Sequence, residues 1–129
     1  MPWEVANHDA FDPEFDALSE AVQDELLAMM GVLEEFGPAL GRPHADTLNG
    51  SKYSKMKELR FVADGGVWRA AFAFGPDRRG VILAAADKSG GSEKLFYRRL
   101  IALADKRFKA HLADLAAAKA AGGGTTEGR

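Results

Sequence analysis

Three short apolar runs, Met56–Ala63, Val67–Phe74 and Gly80–Ala86, are joined only by Asp64-Gly65-Gly66 and by Gly75-Pro76-Asp77-Arg78-Arg79. Runs of this length bounded by turn residues read as strands, and connections this short join antiparallel neighbours. The middle of the chain is therefore expected to be a meander, whatever surrounds it. If Asp64-Gly65 forms a two-residue turn, Ala63 pairs with Gly66 and the ladder sets Arg60 opposite Arg69. Leu59 and Phe61 then share one face with Trp68, Phe72 and Phe74, which marks that face for the core. The opposite face carries Glu58, Arg60, Val62, Arg69, Ala71 and Ala73, whose small members are expected to leave room above the sheet.

Helical patterns flank the meander. Trp3-Glu4-Val5-Ala6 alternates like a short strand and is broken by His8-Asp9 and Asp12-Pro13. Phe15, Leu18, Val22, Leu26, Met29, Leu33 and Phe36 then recur at spacings of three and four, as in an amphipathic helix or a helical hairpin broken at Ser19. Serine is a good N-cap and Glu20 suits a first turn, while Gly37-Pro38 ends the helix. Residues 37–54 read as loop, with Thr47-Leu48 as an anchor. Ser92 is the N-cap of a long helix bearing Phe96, Leu100, Leu103, Ala104, Phe108, Leu112 and Leu115. Strand, helices, three strands, helix is an α+β order. The 129 residues, 47% of them hydrophobic, suffice for one core. We place that domain at 1–115 and expect the Ala/Gly-rich stretch 116–129 to be a mobile tail.

Charge divides the chain. Its first 41 residues hold ten carboxylates and no lysine or arginine, whereas residues 42–109 hold fifteen basic residues against seven acidic ones. Such asymmetry points to nucleic acid or to an acidic partner. The absence of cysteine excludes disulfides and thiolate metal sites and fits a cytoplasmic protein. No basic and apolar leader and no run of about 18 apolar residues is present, so no membrane role is expected. His8, His44 and His111 fall in separate elements, and the carboxylates lack ligand spacing, so no metal is expected. A glycine-rich phosphate loop in a βαβ unit is missing, and no serine has a convincing base.

The basic half gathers candidate residues. Like charges directly opposed across strands are destabilising, so Arg60 facing Arg69 suits an anion held between them, phosphate above all; the alternative is that Glu58 pairs with one of the two. Lys52, Lys55 and Lys57 extend the same rim. Lys88, Lys94, Arg98 and Arg99 lie toward the far end of the sheet, with Tyr97 one helical turn from Lys94.

Leu48-Asn49-Gly50-Ser51, Met56-Lys57-Glu58-Leu59-Arg60, Gly65-Gly66-Val67-Trp68-Arg69-Ala70, Val81-Ile82-Leu83, Asp87-Lys88 and a helix through Tyr97-Arg98 form a familiar pattern. The chain resembles the RelE/ParE superfamily of type II toxin–antitoxin toxins, most closely its HigB-like, phage-related branch, over residues 3–112. The resemblance implies a compact RelE-like fold and a ribosome-dependent mRNA endoribonuclease that needs no metal or cofactor. In that chemistry the 2′-hydroxyl attacks the adjacent phosphate and leaves a 2′,3′-cyclic phosphate. Lys55 or Lys57 acts as base if neighbouring cations lower its pKa from about 10.4. Arg60 and Arg69 stabilise phosphoryl charge, and Lys88 and Tyr97 match basic and tyrosyl positions of the nucleases. Lys52, Lys55, Lys94, Arg98 and Arg99 are expected to hold the RNA. The implied partners are a helix-turn-helix antitoxin, the ribosome and mRNA. A second reading from the same scaffold is a ParE-like protein that binds a topoisomerase without cutting, and a third is a relic that only binds its antitoxin.

Overall fold

The structure is a computed structural model and describes residues 2–127, with side chains to residue 121. Its elements run β1 (Val5–Asn7), α1 (Asp12–Asp16), α2 (Glu20–Phe36), a 3-10 turn at Gly37–Ala39, β2 (Ala45–Thr47), β3 (Lys57–Ala63), β4 (Gly66–Phe74), β5 (Gly80–Asp87) and α3 (Glu93–Glu127). Among the described residues the strands make one sheet in the order β1-β5-β4-β3-β2, antiparallel except where β1 runs parallel to β5. The α+β expectation is borne out. The expected tail falls on the end of α3, and residues 128–129 lie outside the described residues.

Local chemistry explains the boundaries. Ser19 Oγ accepts from the Val22 amide at 3.3 Å, capping α2 where the helical pattern breaks. Gly37, at φ 61°, closes that helix, and a side chain there would run into the Trp3 indole. Asp64 at φ 52° and Gly65 at φ 75° form the two-residue turn with both central residues left-handed, which matches the twist of a hairpin. Ala63 therefore pairs with Gly66 and Arg60 with Arg69, the register expected from sequence. Ser92 Oγ accepts from Leu95 N at 3.2 Å and starts α3.

Two apolar layers enclose the sheet. On one side Val22, Leu26, Met29 and Leu33 of α2 meet Leu59, Phe61, Phe72 and Ile82. On the other, Leu100, Ala104 and Phe108 of α3 lie on Ala71, Ala73, Val81 and Leu83. The room above Ala71 and Ala73 is thus filled by α3. Each large apolar side chain fully buried this way contributes about 1.5–3 kcal/mol. Arg107 clamps α3 down, donating to the Leu83 carbonyl at 2.8 Å and to both oxygens of Glu14 on α1.

Strand β2 interrupts the segment read as loop. Ala45-Asp46-Thr47 has no strand periodicity of its own, and it is extended because Leu59, Glu58 and Lys57 pair with it. That pairing carries Asp46 to the basic strand.

Candidate functional site

Beyond the alanines of the small-residue face, α3 begins and the sheet turns polar. Here β3, β4 and α3 bring together Glu58, Arg69 and Tyr97. Glu58 and Arg69 are both 6% exposed, and Arg69 Nε lies 3.7 Å from Glu58 Oε1. The Tyr97 hydroxyl donates to Glu58 Oε1 at 2.9 Å and accepts from Arg69 Nε at 3.3 Å. A second Arg69 nitrogen donates to the Trp68 carbonyl at 2.9 Å. The group is closed on itself: each charge has a partner, which burial requires. Burial raises the Tyr97 phenol above its ordinary 10.0, and the bond to Glu58 raises it further against the opposing effect of Arg69. Tyr97 therefore stays a neutral hydroxyl at physiological pH.

Glu58 and Tyr97 of this group floor a cleft of about 610 Å³ whose rim carries Arg42, Asp46, Arg60, Lys88, Glu93 and Lys94. Arg60 opposes Arg69 in register, yet its guanidinium turns to Asp46 at 3.9 Å. The carboxylates of Asp46 and Glu58 thus meet the two arginines for which a phosphate was expected from sequence. Asp46 also takes a 2.8 Å ion pair from Arg42, and the hydrogen bond from Arg42 holds its carboxyl below the usual range. Lys88 makes a 2.8 Å pair with Glu93 and lies 5.9 Å from the Tyr97 ring centre. Its hydrogen bond keeps Glu93 ionised to lower pH than usual. Lys94 is exposed at the mouth.

The remaining sequence candidates separate. Lys57 points to the other sheet face, where its amine donates to Pro38 O at 3.1 Å and to Leu40 O. Its pKa is lowered as its proposed role requires, but burial is the cause, while Asp46 opposes the shift. Lys55 shares a pocket with Lys57 on that side. Lys52 is exposed on a loop tied to α3: its amide donates to Asp105 at 3.0 Å, and Ser51 Oγ donates to the same carboxylate at 2.5 Å. Arg98 and Arg99 are exposed on α3, and Arg99 borders a separate apolar hollow with Leu95 and Leu103.

Sequence reasoning treated Glu58 only as a neutralising charge and missed Arg42 and Asp46. The contact between Glu58 and Tyr97 spans 39 residues, a pairing no local pattern carries. The histidines also converge in part: the rings of His8 and His111 lie 6.1 Å apart. Among the described residues no group of three or more His, Asp or Glu is placed to hold a metal ion, and no helix is long and apolar enough to cross a membrane.

The family described as "Phage derived protein Gp49-like (DUF891)" matches residues 13–109, which include every residue of the cleft. The chain belongs to that family. This Gp49-like chain is also similar to two curated proteins of Mycobacterium tuberculosis (strain ATCC 25618 / H37Rv). It is 41% identical over 99 residues to one named "Putative toxin HigB2", covering 76% of this chain and 49% of that protein. It is 38% identical over 99 residues to one named "Putative toxin HigB3", covering 77% of this chain and 84% of the relative. The Gp49-like chain thus spans about half the length of the first relative. No solved structure matches it. The HigB-like resemblance read from Met56–Arg60 and Gly65–Ala70 is borne out.

Proposed function

We propose that this chain is the toxin of a type II toxin–antitoxin system and that it cuts messenger RNA on the ribosome without a metal ion or other cofactor. Its family and the naming of its relatives support the toxin. The nuclease rests on one observation, the Glu58–Tyr97 contact, braced by Arg69, at the floor of a cleft rimmed by Arg60, Lys88 and Lys94.

In this reading the RNA phosphate enters between Arg60, Lys88 and Lys94, whose charge offsets the charge that develops on the phosphoryl oxygens. The 2′-hydroxyl proton passes to the Tyr97 oxygen as the Tyr97 proton passes to Glu58, a relay in which a neutral phenol never ionises outright. The 2′ oxygen bonds to phosphorus, the bond to the 5′ oxygen breaks, and Lys88 protonates that leaving oxygen. Arg69 positions Glu58 and Tyr97 and does not touch the phosphate. The acidic first 41 residues oppose free RNA, so the ribosome supplies the orientation. A cytoplasmic helix-turn-helix antitoxin that covers the cleft rim completes the system.

The experiment is cleavage of a defined mRNA on purified ribosomes, with product ends identified. Wild type is expected to release 2′,3′-cyclic phosphate ends only when ribosomes are present, and Tyr97→Phe is expected not to. Growth arrest without any mRNA cleavage removes the nuclease reading and leaves a toxin that acts by binding.

A further inference from the structure

Arg42, Arg60, Arg69, Arg79, Lys88 and Arg107 each meet a carboxylate within 4 Å. Lys55, Lys57 and Arg78 are among the described cations that do not, and these three converge on one pocket of about 440 Å³. It lies across the sheet from Tyr97. Trp3, Pro38 and Phe74 form its apolar walls, Thr47 and Ser54 supply hydroxyls, and no carboxylate lines it. Small-molecule pockets run from about 300 to 1,000 Å³ and combine apolar walls with a few polar groups.

The pocket is built rather than a chance gathering of surface lysines. Trp3 is fixed against Gly37, whose missing side chain makes space for the indole, and Phe74 meets the Trp3 ring edge-on at 5.3 Å. The Arg78 guanidinium sits 4.9 Å from the Trp3 ring centre. The Lys57 amine donates to two backbone carbonyls, and its burial disfavours the ammonium against the weaker attraction of Asp46, so an anion beside it would further favour the charged form. Cations with no carboxylate within 4 Å, beside aromatic walls, fit a ligand with phosphate at one end and a flat ring at the other.

We propose that this pocket is a second binding site, for a phosphorylated nucleotide, either free or as one unit of an RNA strand. Phosphate meets Lys55, Lys57 and Arg78 while the base lies against Trp3 and Phe74. Only the strand form rests on the nuclease reading above.

The chain has two tryptophans, so Trp68→Phe leaves Trp3 as the sole reporter. That variant, checked for native circular dichroism, is titrated with adenosine monophosphate, a 5′-phosphorylated single-stranded RNA oligonucleotide, inorganic phosphate and polyglutamate. Saturable change in Trp3 emission is expected with the nucleotide or the oligonucleotide, and inorganic phosphate should bind at least about tenfold more weakly because the apolar walls give it nothing. Lys55→Ala and Arg78→Ala should each weaken binding by about tenfold, and Lys106→Ala, which removes an exposed charge elsewhere, should not. An oligonucleotide tighter than the mononucleotide assigns a strand; equal affinities assign the free ligand. The Trp3 indole N–H shift in ¹⁵N-labelled unmodified protein repeats the measurement without a substitution. No saturable response, a response indifferent to Lys55 and Arg78, or tighter binding of polyglutamate overturns the proposal. The readout needs no ribosome, so its failure leaves the cleavage reading standing, and loss of that reading leaves this one testable.

Discussion

Arg60 and Arg69 are paired across β3 and β4, and their side chains have opposite fates: Arg69 is buried against Glu58 and Tyr97, whereas Arg60 is one-third exposed and reaches out to Asp46. Two like charges in register avoid each other by taking different carboxylates. That difference in burial makes the two arginines separable by experiment.

Arg69→Ala should destabilise the fold, because Glu58 is left buried and unpaired; removing one partner of such a pair costs about 3–5 kcal/mol. Arg60→Ala should leave the melting temperature unchanged. Urea unfolding of both variants checks this, and the Glu58→Leu/Arg69→Met double variant should be more stable than Arg69→Ala. An Arg69→Ala protein as stable as wild type would show that the pair is solvated.

Tyr97→Phe keeps the ring and deletes only the hydroxyl between Glu58 and Arg69. If Tyr97 relays the proton, ribosome-dependent cleavage should fall by about 10²–10⁴. Growth inhibition should fall with it. Glu58→Gln should lose cleavage similarly while preserving shape, and retained cleavage in both variants would exclude the relay.

His8 gives a pH dependence. Burial lowers its pKa below the ordinary 6.5, aided by His111 and Arg107 and opposed by Asp9 and Asp114. The unfolded chain then binds the proton more readily than the folded one, so stability falls as pH drops below about 6.5 and the fall ends beneath the folded pKa. His8→Asn can still accept from the Ala10 amide, as His8 Nδ1 does at 3.0 Å, but it does not titrate. Melting temperatures from pH 7.5 to pH 5 should decline less for His8→Asn than for wild type, and parallel declines would rule His8 out.

Asp105 ties the 51–53 loop to α3 through Ser51 and the Lys52 amide. Hydrogen bonds to a charged group contribute about 1.5–3 kcal/mol, so Asp105→Ala should lose stability in that range. Amide exchange at Lys52 should accelerate ahead of that in β4. Unchanged exchange there would mean that other contacts hold the loop.

Much of this molecule is legible in the sequence because its signals are local. A two-residue Asp64-Gly65 turn dictates the hairpin register, since side chains alternate with period two and one slip would invert the core face. Ser19, Gly37 and Ser92 act on their own neighbours, so the helix boundaries are readable too. Which cations meet which anions is settled only in three dimensions. Asp46 reaches Arg60 because a strand without its own periodicity pairs with β3, and Glu58 reaches Tyr97 across 39 residues because α3 packs on an alanine face. Lys57 and Glu58, adjacent in the chain, part to opposite faces of the sheet. The strand's alternation separates them, and the tertiary packing of α2 and α3 decides that one lines a pocket without carboxylates while the other is buried beneath a cleft.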